Sequence, residues 1–452
     1  MAEFHTDVYA AEDVAKATKS VNAYERRNFT NLIRYFLDMP TEPRICIIYG
    51  FQGTGKTTAI FQAIQDMTEN ERKQAVYITA KPDNTTDDLC KDLHILYNMG
   101  RKIIFIEEIT EIKDFIDSSS LLSDIYAAMG MKIIVTGDDS FSFWLAENDQ
   151  LYDRAYEIHT TPMPIEEYAR IIGKEDIDEY IKYGGILGEK SEYENAIQNY
   201  LDDAVIKNMQ YSVGCCKYGI IPKYISDLHK ENKLEDELKR FIYELNCGFL
   251  LDVLTRDVRI NDIPVDDLKK TQETQNEEDI KRCLKGMNFI YPIECYNSES
   301  GETTDYFVLT QPCVRYHQVC DILHSLINEQ ADTYSYIIDR IKRRIFADSV
   351  IMETRKNLSR ERYYVCKLNF PDGAIDMVIY DHNNYESGLY TVNFGTDTSL
   401  TNAEKCAVAE WRYRQVVRNT ALYPGKSYVA ENGIEYKNIW EFLKELTEGF
   451  EL

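Results

Sequence analysis

Hydrophobic residues occur in short continuous runs through the first third of the chain, and longer amphipathic segments separate these runs. Three separating segments have helical periodicity: KTTAIFQAIQDM (56–67), TTDDLCKDLHILYNMG (85–100) and LLSDIYAAMG (121–130). The runs themselves have the length of buried strands: RICIIYG (44–50), QAVYITA (74–80), KIIFIEE (102–108), KIIVTG (132–137) and YEIHTTP (156–162). Continuous apolar strands joined by helices are typical of a parallel sheet with both faces covered, so the pattern predicts an α/β fold.

The pattern changes on either side of this region. The first 35 or so residues are polar with helical spacing, and residues 194–290 have the pattern of successive helices. Residues 276–312 predict a helix and then two strands around a polar turn, which suggests a winged-helix module, and residues 326–452 predict a small α/β domain. We therefore predict three domains: a first α/β domain over 1–190 with a helical lead-in over 1–40, a helical and winged-helix region over 191–325, and a small α/β domain over 326–452.

The composition is that of a soluble globular protein, since 44% of the 452 residues are hydrophobic and 28% are charged. No apolar run approaches the roughly 20 residues that cross a bilayer, and the first residues contain acids where a signal peptide has a basic region. The 11 cysteines show no disulfide framework, which favours free thiols in a reducing compartment. We expect a cytoplasmic protein without membrane association.

One cysteine and histidine spacing is compatible with zinc. The segment CVRYHQVCDILH places four side chains on one face of a predicted helix: Cys313, His317, Cys320 and His324. Helical zinc sites normally take ligands from more than one element, so a buried helix stripe is the preferred interpretation.

The net charge is −25, which repels nucleic acid phosphates over long range. Two short basic clusters, YERRNF (24–29) and RIKRRIF (340–346), are local exceptions. Solvated helix faces explain most such clusters, so broad non-specific DNA binding is not expected.

The most specific motif is GFQGTGKT at residues 50–57, which fits G-x-x-x-x-G-K-[ST] at every fixed position. It follows a predicted strand and opens a predicted helix, and its glycines allow the backbone N–H groups to turn toward phosphate oxygens. Lys56 is expected to reach the β- and γ-phosphates, and the Thr57 hydroxyl is expected to bind Mg²⁺. The predicted nucleotide-binding residues of the loop are Gly50, Phe51, Gln52, Gly53, Thr54, Gly55, Lys56, Thr57 and Thr58.

Polar residues follow the neighbouring predicted strands. We assign Glu107 to Mg²⁺ and Glu108 to the attacking water. Thr136 is the candidate to contact the γ-phosphate or to position water, and Asp138 is the second choice. Arg154 is either an arginine finger or sensor, acting in cis or from a neighbouring subunit, or a surface arginine.

Together these residues resemble a family of prokaryotic P-loop ATPases of the AAA-like, additional-strand class. The resemblance rests on GFQGTGKTT, IIFIEEI, IIVTGDDS, DRAYEIHTTPMPIEEYARI, YGGILG (183–188) and YFVLTQPCVRYHQ (306–318). It implies ATP as the nucleotide, a winged-helix region, and a C-terminal domain resembling PD-(D/E)xK restriction endonucleases. Two departures stand out, because Asp153 replaces the glycine that usually precedes the arginine and the segment ILG lacks a usual proline.

A PD-(D/E)xK centre combines an acid from a helix, an acid from one strand and an acid-x-lysine on the next strand. Glu353 and Asp376 match the first two acids. Asn393 and Gly395 stand where the second strand needs its acid and lysine, and Lys367 lies on a neighbouring stretch. We therefore expect an α/β scaffold that has lost hydrolysis.

Three functions follow from these features. The preferred one is a Mg²⁺-dependent ATPase in which hydrolysis drives a conformational switch. The alternatives are an ATP-gated DNA nuclease and a nucleotide-binding regulator with little turnover. A winged helix binds DNA in some proteins and protein in others, so the macromolecular partner and any oligomerisation stay open.

Overall fold

The chain divides into two compact units. The computed structural model describes residues 4–51, 53–184, 205–215, 221–258, 265, 268, 277–327, 332–371, 373–393, 403–431 and 433–452. The first unit comprises Met1–Met163, Ile186–Leu238 and Gln275–Asn288, and the second comprises Pro164–Gly185, Lys239–Thr274 and Phe289–Leu452. The domain boundaries predicted at residues 190 and 325 stay a prediction.

The first unit contains a mainly parallel six-stranded sheet. Its strands are β1 (Asp7–Ala10), β2 (Ile45–Tyr49), β3 (Ala75–Thr79), β4 (Ile103–Glu107), β5 (Lys132–Gly137) and β6 (Ala155–His159). They lie in the order β1-β3-β4-β5-β2-β6, and every neighbouring pair is parallel except β1 with β3. All five strands predicted for this region are present, and β5 lies between β2 and β4, as an additional strand would.

Side chains alternate between the two faces of this sheet. On β2, Ile45 and Ile47 join one buried cluster, whereas Cys46 and Ile48 join a second cluster on the opposite face. Helices pack on both faces, since Thr86–Asn98, Phe115–Ser118 and Ser140–Asn148 contribute to the first cluster and Ala11–Ala17, Thr30–Asp38 and Lys56–Asp66 contribute to the second. The other helices of this unit are Glu69–Gln74, Asn208–Cys215, Lys223–Lys230 and Glu277–Gly286. Short 3₁₀ turns occupy Lys19–Ala23 and Ile109–Glu111.

The helix Thr86–Asn98 illustrates how local sequence defines an element. The Thr85 side chain accepts a hydrogen bond from the Asp88 N–H, and the Asp88 carboxylate accepts one from the Thr85 N–H, which forms a capping box. Gly100 follows the helix with φ +79°, a conformation that favours glycine.

Two expectations for the first unit were wrong. The lead-in is not wholly helical, because residues 7–10 form β1 and pair with β3. The buried carboxylate of Asp92 holds the preceding residues by accepting hydrogen bonds from the N–H groups of His5 and Thr6. Residues 121–130 do not form a regular α-helix, since Leu122–Ala127 is a π-helix. The helix predicted for YENAIQNYLDDAVIKNM (193–209) lies largely outside the described residues.

The second unit contains an eight-stranded mixed sheet. Its strands are β7 (Ile290–Asn297), β8 (Thr303–Leu309), β9 (Tyr363–Phe370), β10 (Gly373–Asp381), β11 (Glu386–Val392), β12 (Gln415–Tyr423), β13 (Tyr428–Val429) and β14 (Glu435–Asn438), in the order β13-β14-β12-β11-β10-β9-β7-β8. Its helices are Ile165–Ile172, Ile177–Tyr183, Pro312–Leu326, Asp332–Asn357, Ala403–Tyr413 and Ile439–Glu448. The helix Leu234–Asp252 begins within the first unit's residues and ends within the second's, and the π-helix Val253–Val258 follows it.

The two strands predicted for the wing of a winged helix are present as β7 and β8. They pair antiparallel with each other, and β7 also pairs parallel with β9, where Cys295 lies opposite Lys367. This hairpin is therefore continuous with the C-terminal sheet, and the winged-helix assignment stays a prediction. No helix within the described residues is both long enough and apolar enough to span a bilayer.

Candidate active site

The loop after β2 has the backbone conformation that its glycines predict. Gly50, Gly53 and Gly55 have φ values of +148°, +79° and +87°, and Gly55 directly precedes the helix Lys56–Asp66. A Cβ atom on Gly50 would lie 2.0 Å from the carbonyl oxygen of Thr160, so only glycine fits there. Gln52 lies outside the described residues. The loop thus opens a helix N-terminus, which favours binding of anions.

Lys56 is held inside this loop. Its side chain is buried, and the ammonium donates hydrogen bonds to the carbonyl oxygens of Gly50 (2.9 Å) and Phe51 (3.0 Å). It also forms an ion pair with Asp138. A buried ammonium needs such partners, and a phosphate group has the charge to replace the Asp138 carboxylate.

Thr57 and Glu107 lie together, as their predicted shared role requires. The Thr57 hydroxyl donates a hydrogen bond to the Glu107 carboxylate at the end of β4. Burial raises the pKa of Glu107, with the charge of Asp138 acting in the same direction, whereas the hydrogen bond from Thr57 opposes the rise. A hydroxyl and a carboxylate are hard oxygen ligands, and Mg²⁺ is usually bound by one or two protein groups together with substrate phosphates. The donor set therefore fits Mg²⁺.

Glu108 follows β4 in a left-handed conformation, with φ +56°. Such backbone conformations are uncommon for residues other than glycine and cluster at functional sites. Burial raises the pKa of Glu108 to about 7, and the negative charge of Asp138 contributes to the rise. A carboxylate with a pKa near 7 is suited to accept a proton from water at neutral pH.

At the end of β5, Thr136 was the first candidate and Asp138 the second to contact the γ-phosphate or to position water, and their positions favour the opposite order. Thr136 is fully buried in the sheet beside Ile48, and no described group forms a hydrogen bond with its hydroxyl. Asp138 lies beyond the strand end, pairs with Lys56 and raises the pKa of both neighbouring glutamates. The geometry favours Asp138 over Thr136 because the Thr136 side chain is still part of the sheet interior.

Arg154 is not brought to this site in its own chain. Its guanidinium pairs with Asp124 (2.7 Å), and its carbonyl oxygen accepts a hydrogen bond from Ile45, at the end of β2 that lies away from the loop. The four steps along the chain from Ile45 to Tyr49 span about 13 Å at about 3.3 Å per residue. This placement speaks against a finger acting in cis, and a role in a neighbouring subunit stays a prediction.

The sequence-based assignment missed one buried arginine that contacts the loop. Arg27 lies in the YERRNF cluster and donates a hydrogen bond to the carbonyl oxygen of Thr54 at 2.7 Å. Within the sequence, its only signal was membership of a short basic cluster, which is usually a solvated helix face.

The two acids that matched a nuclease centre have other partners. Asp376 is buried, pairs with Arg343 (2.7 Å) and accepts a hydrogen bond from the N–H of Val392 (2.9 Å). Glu353 is also buried, and its carboxylate accepts a hydrogen bond from the N–H of Ile165 (2.7 Å). The structure thus uses these carboxylates for an ion pair and a helix N-terminus.

The other positions of the predicted centre do not supply a metal ligand set. Lys367 is buried in an ion pair with Asp348 at 2.9 Å, Asn393 is buried after β11, and Gly395 lies outside the described residues. Within the described parts of the chain, no group of three or more His, Cys, Asp or Glu side chains is placed to hold a metal ion.

The Cys313 and His317 spacing belongs to the helix Pro312–Leu326. Cys313 is buried against Gly184, and burial raises the pKa of its thiol to about 12. His317 Nε2 lies 3.3 Å from the carbonyl oxygen of Lys182. Both side chains are thus occupied by packing and by a backbone contact, which fits the buried-stripe interpretation.

Comparison with protein families gives one match. Residues 42–169 match the model of a AAA domain. The matched residues contain the loop, both glutamates at the end of β4 and the parallel strands around them. The first unit therefore contains a region that is similar to AAA domains.

Several solved structures are similar to part of the chain. The Walker-type ATPase PABY2304 of Pyrococcus abyssi matches 65% of this chain and 95% of its own, with 11% identity and a TM-score of 0.35. S. cerevisiae Hsp104 in its casein complex matches 46% of this chain and 40% of its own, with 16% identity and a TM-score of 0.29. C. elegans PCH-2 matches 48% of this chain and 61% of its own, with 12% identity and a TM-score of 0.21. The chain spans less than two thirds of the Hsp104 and PCH-2 chains. Comparison with curated proteins finds no match.

Proposed function

We propose that this protein binds ATP with Mg²⁺ at the P-loop of its first unit and hydrolyses it to ADP and phosphate. The observation that carries the proposal is the convergence of side chains from three strand ends. Lys56 and Thr57 follow β2, Glu107 ends β4, and Asp138 follows β5, and they contact one another in pairs. The match of residues 42–169 to a AAA domain supports the same conclusion.

Each side chain has a role that its contacts support. Lys56 balances the charge of the β- and γ-phosphates, and its present partner Asp138 gives way to them. Thr57 and Glu107 hold Mg²⁺, which when bound neutralises charge that develops on the phosphate oxygens. Glu108 accepts the proton of the attacking water as the water oxygen bonds to the γ-phosphorus. The bond from that phosphorus to the bridging oxygen breaks, and ADP leaves with the electron pair.

A conformational switch is the second part of the proposal. Asp138 and Asp139 are adjacent, and the first contacts Lys56 whereas the second is buried under the helix Asn208–Cys215. The Asp139 carboxylate accepts hydrogen bonds from the hydroxyls of Ser142 (2.6 Å) and Ser212. A phosphate that displaces Asp138 therefore also perturbs the neighbouring Asp139, which is hydrogen-bonded to this helix through Ser212.

The alternatives are less well supported. A nuclease is not proposed, because the buried partners of Asp376 and Glu353 are a basic side chain and a backbone N–H. A regulator that binds ATP without turnover shares the same site, and only the rate of phosphate release separates it from an ATPase. A DNA or protein partner, bound through the winged-helix region and the C-terminal domain, remains part of the proposal.

Removal of the Lys56 ammonium tests the site. Lys56→Ala is expected to weaken ATP binding about 100-fold, because a charge-assisted contact to two phosphates is lost. Binding is measured by titration with a fluorescent ATP analogue, and phosphate release is measured with Mg²⁺ and with EDTA. Lys113→Ala, at an exposed lysine of the same unit, is the matched control. Equal affinities of the wild type and Lys56→Ala, or no binding by the wild type, would contradict the proposal.

A further inference from the structure

The phosphate-binding loop is held from its outer side by residues that its motif does not include. Arg27 Nη1 donates hydrogen bonds to the carbonyl oxygens of Thr54 (2.7 Å) and Thr161 (3.2 Å). The Thr160 hydroxyl lies 2.8 Å from the Thr54 hydroxyl and 3.0 Å from the carbonyl oxygen of Tyr49. We call Arg27, Thr54, Thr160 and Thr161 the P-loop clamp.

The clamp is nearly closed to solvent. Arg27 is 7% exposed, Thr54 is 2% exposed and Thr160 is 1% exposed. A polar group buried to this degree loses free energy if its hydrogen bond is broken, because water cannot replace the partner. The contacts therefore constrain the loop more strongly than the same contacts on the surface would.

The clamp also acts on the orientation of the loop's peptide groups. In a planar trans peptide, the carbonyl oxygen of one residue and the N–H of the next point in opposite directions. Arg27 holds the Thr54 carbonyl on one side of the loop, so the N–H of Gly55 is directed to the other side. Thr160 reaches the same loop through Thr54, and the glycine at position 50 makes room for its backbone.

We propose that Arg27 and Thr160 are positioning residues that hold the P-loop backbone in its phosphate-binding conformation before nucleotide arrives. This inference rests on the proposed function of the same site. Arg27 lies outside residues 42–169, which match the AAA domain, so the lead-in supplies a part of the site. A binding loop that is already ordered loses less conformational freedom on binding, and the clamp therefore acts on ATP affinity.

A purely structural role makes a different prediction. If Thr160 only secures the end of β6, its loss lowers the melting temperature of the nucleotide-free protein and leaves ATP affinity unchanged. If it positions the loop, its loss raises the Kd for ATP, and a variant that restores the hydroxyl restores the Kd. Turnover at saturating ATP changes little in the second case, since bound phosphates hold the loop themselves.

The test uses Thr160→Val, which keeps the shape but removes the hydroxyl, and Thr160→Ser, which keeps the hydroxyl. The Kd for a fluorescent ATP analogue with Mg²⁺, the kcat at saturating ATP and the melting temperature without nucleotide are measured on the full chain. Thr160→Val is expected to raise the Kd about tenfold, and Thr160→Ser is expected to stay within about twofold of the wild type. The kcat of both variants is expected to stay within about threefold of the wild type.

Arg27→Lys gives an independent measurement, and it decides alone if Thr160→Val does not fold. Both contacts of Arg27 come from Nη1, and a lysine ammonium ends one bond nearer the backbone than that nitrogen, so the Kd is expected to rise about tenfold. Arg26→Lys, at the exposed neighbour that pairs with Asp66, is the matched control and is expected to bind ATP as the wild type does.

The outcomes separate the two proposals. If the wild type binds ATP and both Thr160→Val and Arg27→Lys bind it with the same affinity, the positioning role of the clamp is overturned. The proposed function is not affected by that result. Failure of Thr160→Ser to restore affinity likewise overturns the positioning role. A wild type that binds no ATP overturns the proposed function and the positioning role together.

Discussion

Glu353 shows how burial and a backbone partner determine what an acidic side chain does. Its carboxylate accepts a hydrogen bond from the first N–H of the helix Ile165–Ile172, whose preceding residue, Pro164, provides no side-chain cap. Anions are favoured at helix N-termini. Burial nevertheless dominates and raises the pKa of Glu353 to about 8, so the group is largely protonated at neutral pH. The acid that matched a nuclease position is, in this fold, a helix cap.

Glu353 makes stability depend on pH. Its folded pKa is above the unfolded value of about 4.3, so its contribution is fully present at low pH and is lost as the pH rises through about 8. The side chain of the Glu353→Gln variant cannot ionise. The difference between its free energy of unfolding and that of the wild type should therefore shift in favour of the variant by on the order of a few kcal/mol from pH 5 to pH 9. Urea unfolding at pH 5, 7 and 9 measures the difference.

Lys356 lies one helical turn from Glu353, is present in both proteins and contributes to both curves. Glu361→Gln, at an exposed position, is the control and should follow the wild type at every pH. Parallel curves for the wild type and Glu353→Gln would show that Glu353 ionises in the folded state as it does in water.

At the scale of elements, the long helix of the second unit is joined to its sheet by buried ion pairs. Arg343, on the helix, pairs with Asp376 on β10, and Asp348 pairs with Lys367 on β9. Both carboxylates are only a few per cent exposed. Basic side chains therefore balance the charges that a nuclease centre would balance with metal ions.

Asp376→Ala should destabilise the second unit. The substitution leaves the Arg343 guanidinium buried without its carboxylate, which costs about 3–5 kcal/mol. Urea unfolding at neutral pH measures the loss, and Asp305→Ala, at an exposed acid of β8, serves as the control. A destabilisation no larger than that of the control would contradict the assignment of Asp376 as a structural ion-pair partner.

A plasmid-cleavage assay tests the nuclease alternative with the same variant. Metal-dependent cleavage by the wild type, together with loss of that cleavage in Asp376→Ala, would restore this alternative.

Local sequence patterns were sufficient for some elements and insufficient for others. The strands β2 to β6 are continuous apolar runs that both faces of a sheet can bury, so their pattern alone predicts them. β1 has only four residues and an exposed Tyr9, and its pairing with β3 depends on residues about 70 positions away. The pairing of β7 with β9 has the same origin, because a parallel contact between distant segments leaves no local signature.

The same distinction applies to the site. The loop motif follows one predicted strand, and Glu107 and Glu108 are the last residues of another, so parallel-sheet geometry brings them to one edge. Arg27 and Thr160 reach Thr54 across 27 and 106 residues of sequence, and no spacing rule links them. Asp138 was ranked second to Thr136 although the end of β5 was predicted correctly, because the sequence does not show which of the two side chains is buried in the sheet.

At the scale of the whole molecule, the net charge of −25 and the contacts of the two basic clusters indicate which kind of macromolecular partner is favoured. Within RIKRRIF, Lys342, Arg343 and Arg344 pair with carboxylates of their own unit. In YERRNF, Arg26 pairs with Asp66 and Arg27 contacts the P-loop. Neither cluster offers free cations to a phosphate backbone, so these segments give no support to DNA over protein as the partner.

The account makes one chemical claim above the others, which is that Glu108 accepts the proton of the attacking water during ATP hydrolysis. Glu108→Gln keeps the size of the side chain and removes its basicity. Glu111→Gln, at an exposed position in the adjoining 3₁₀ turn, is the matched control.

Steady-state phosphate release at saturating MgATP is the most direct measurement of this claim. We expect Glu108→Gln to lower the kcat by about 100-fold or more, the range of general-base catalysis, while Glu111→Gln retains the wild-type rate. The account would be contradicted if the wild type released phosphate only at the background rate and Glu108→Gln did not change that rate. Such a result would favour a nucleotide-binding regulator.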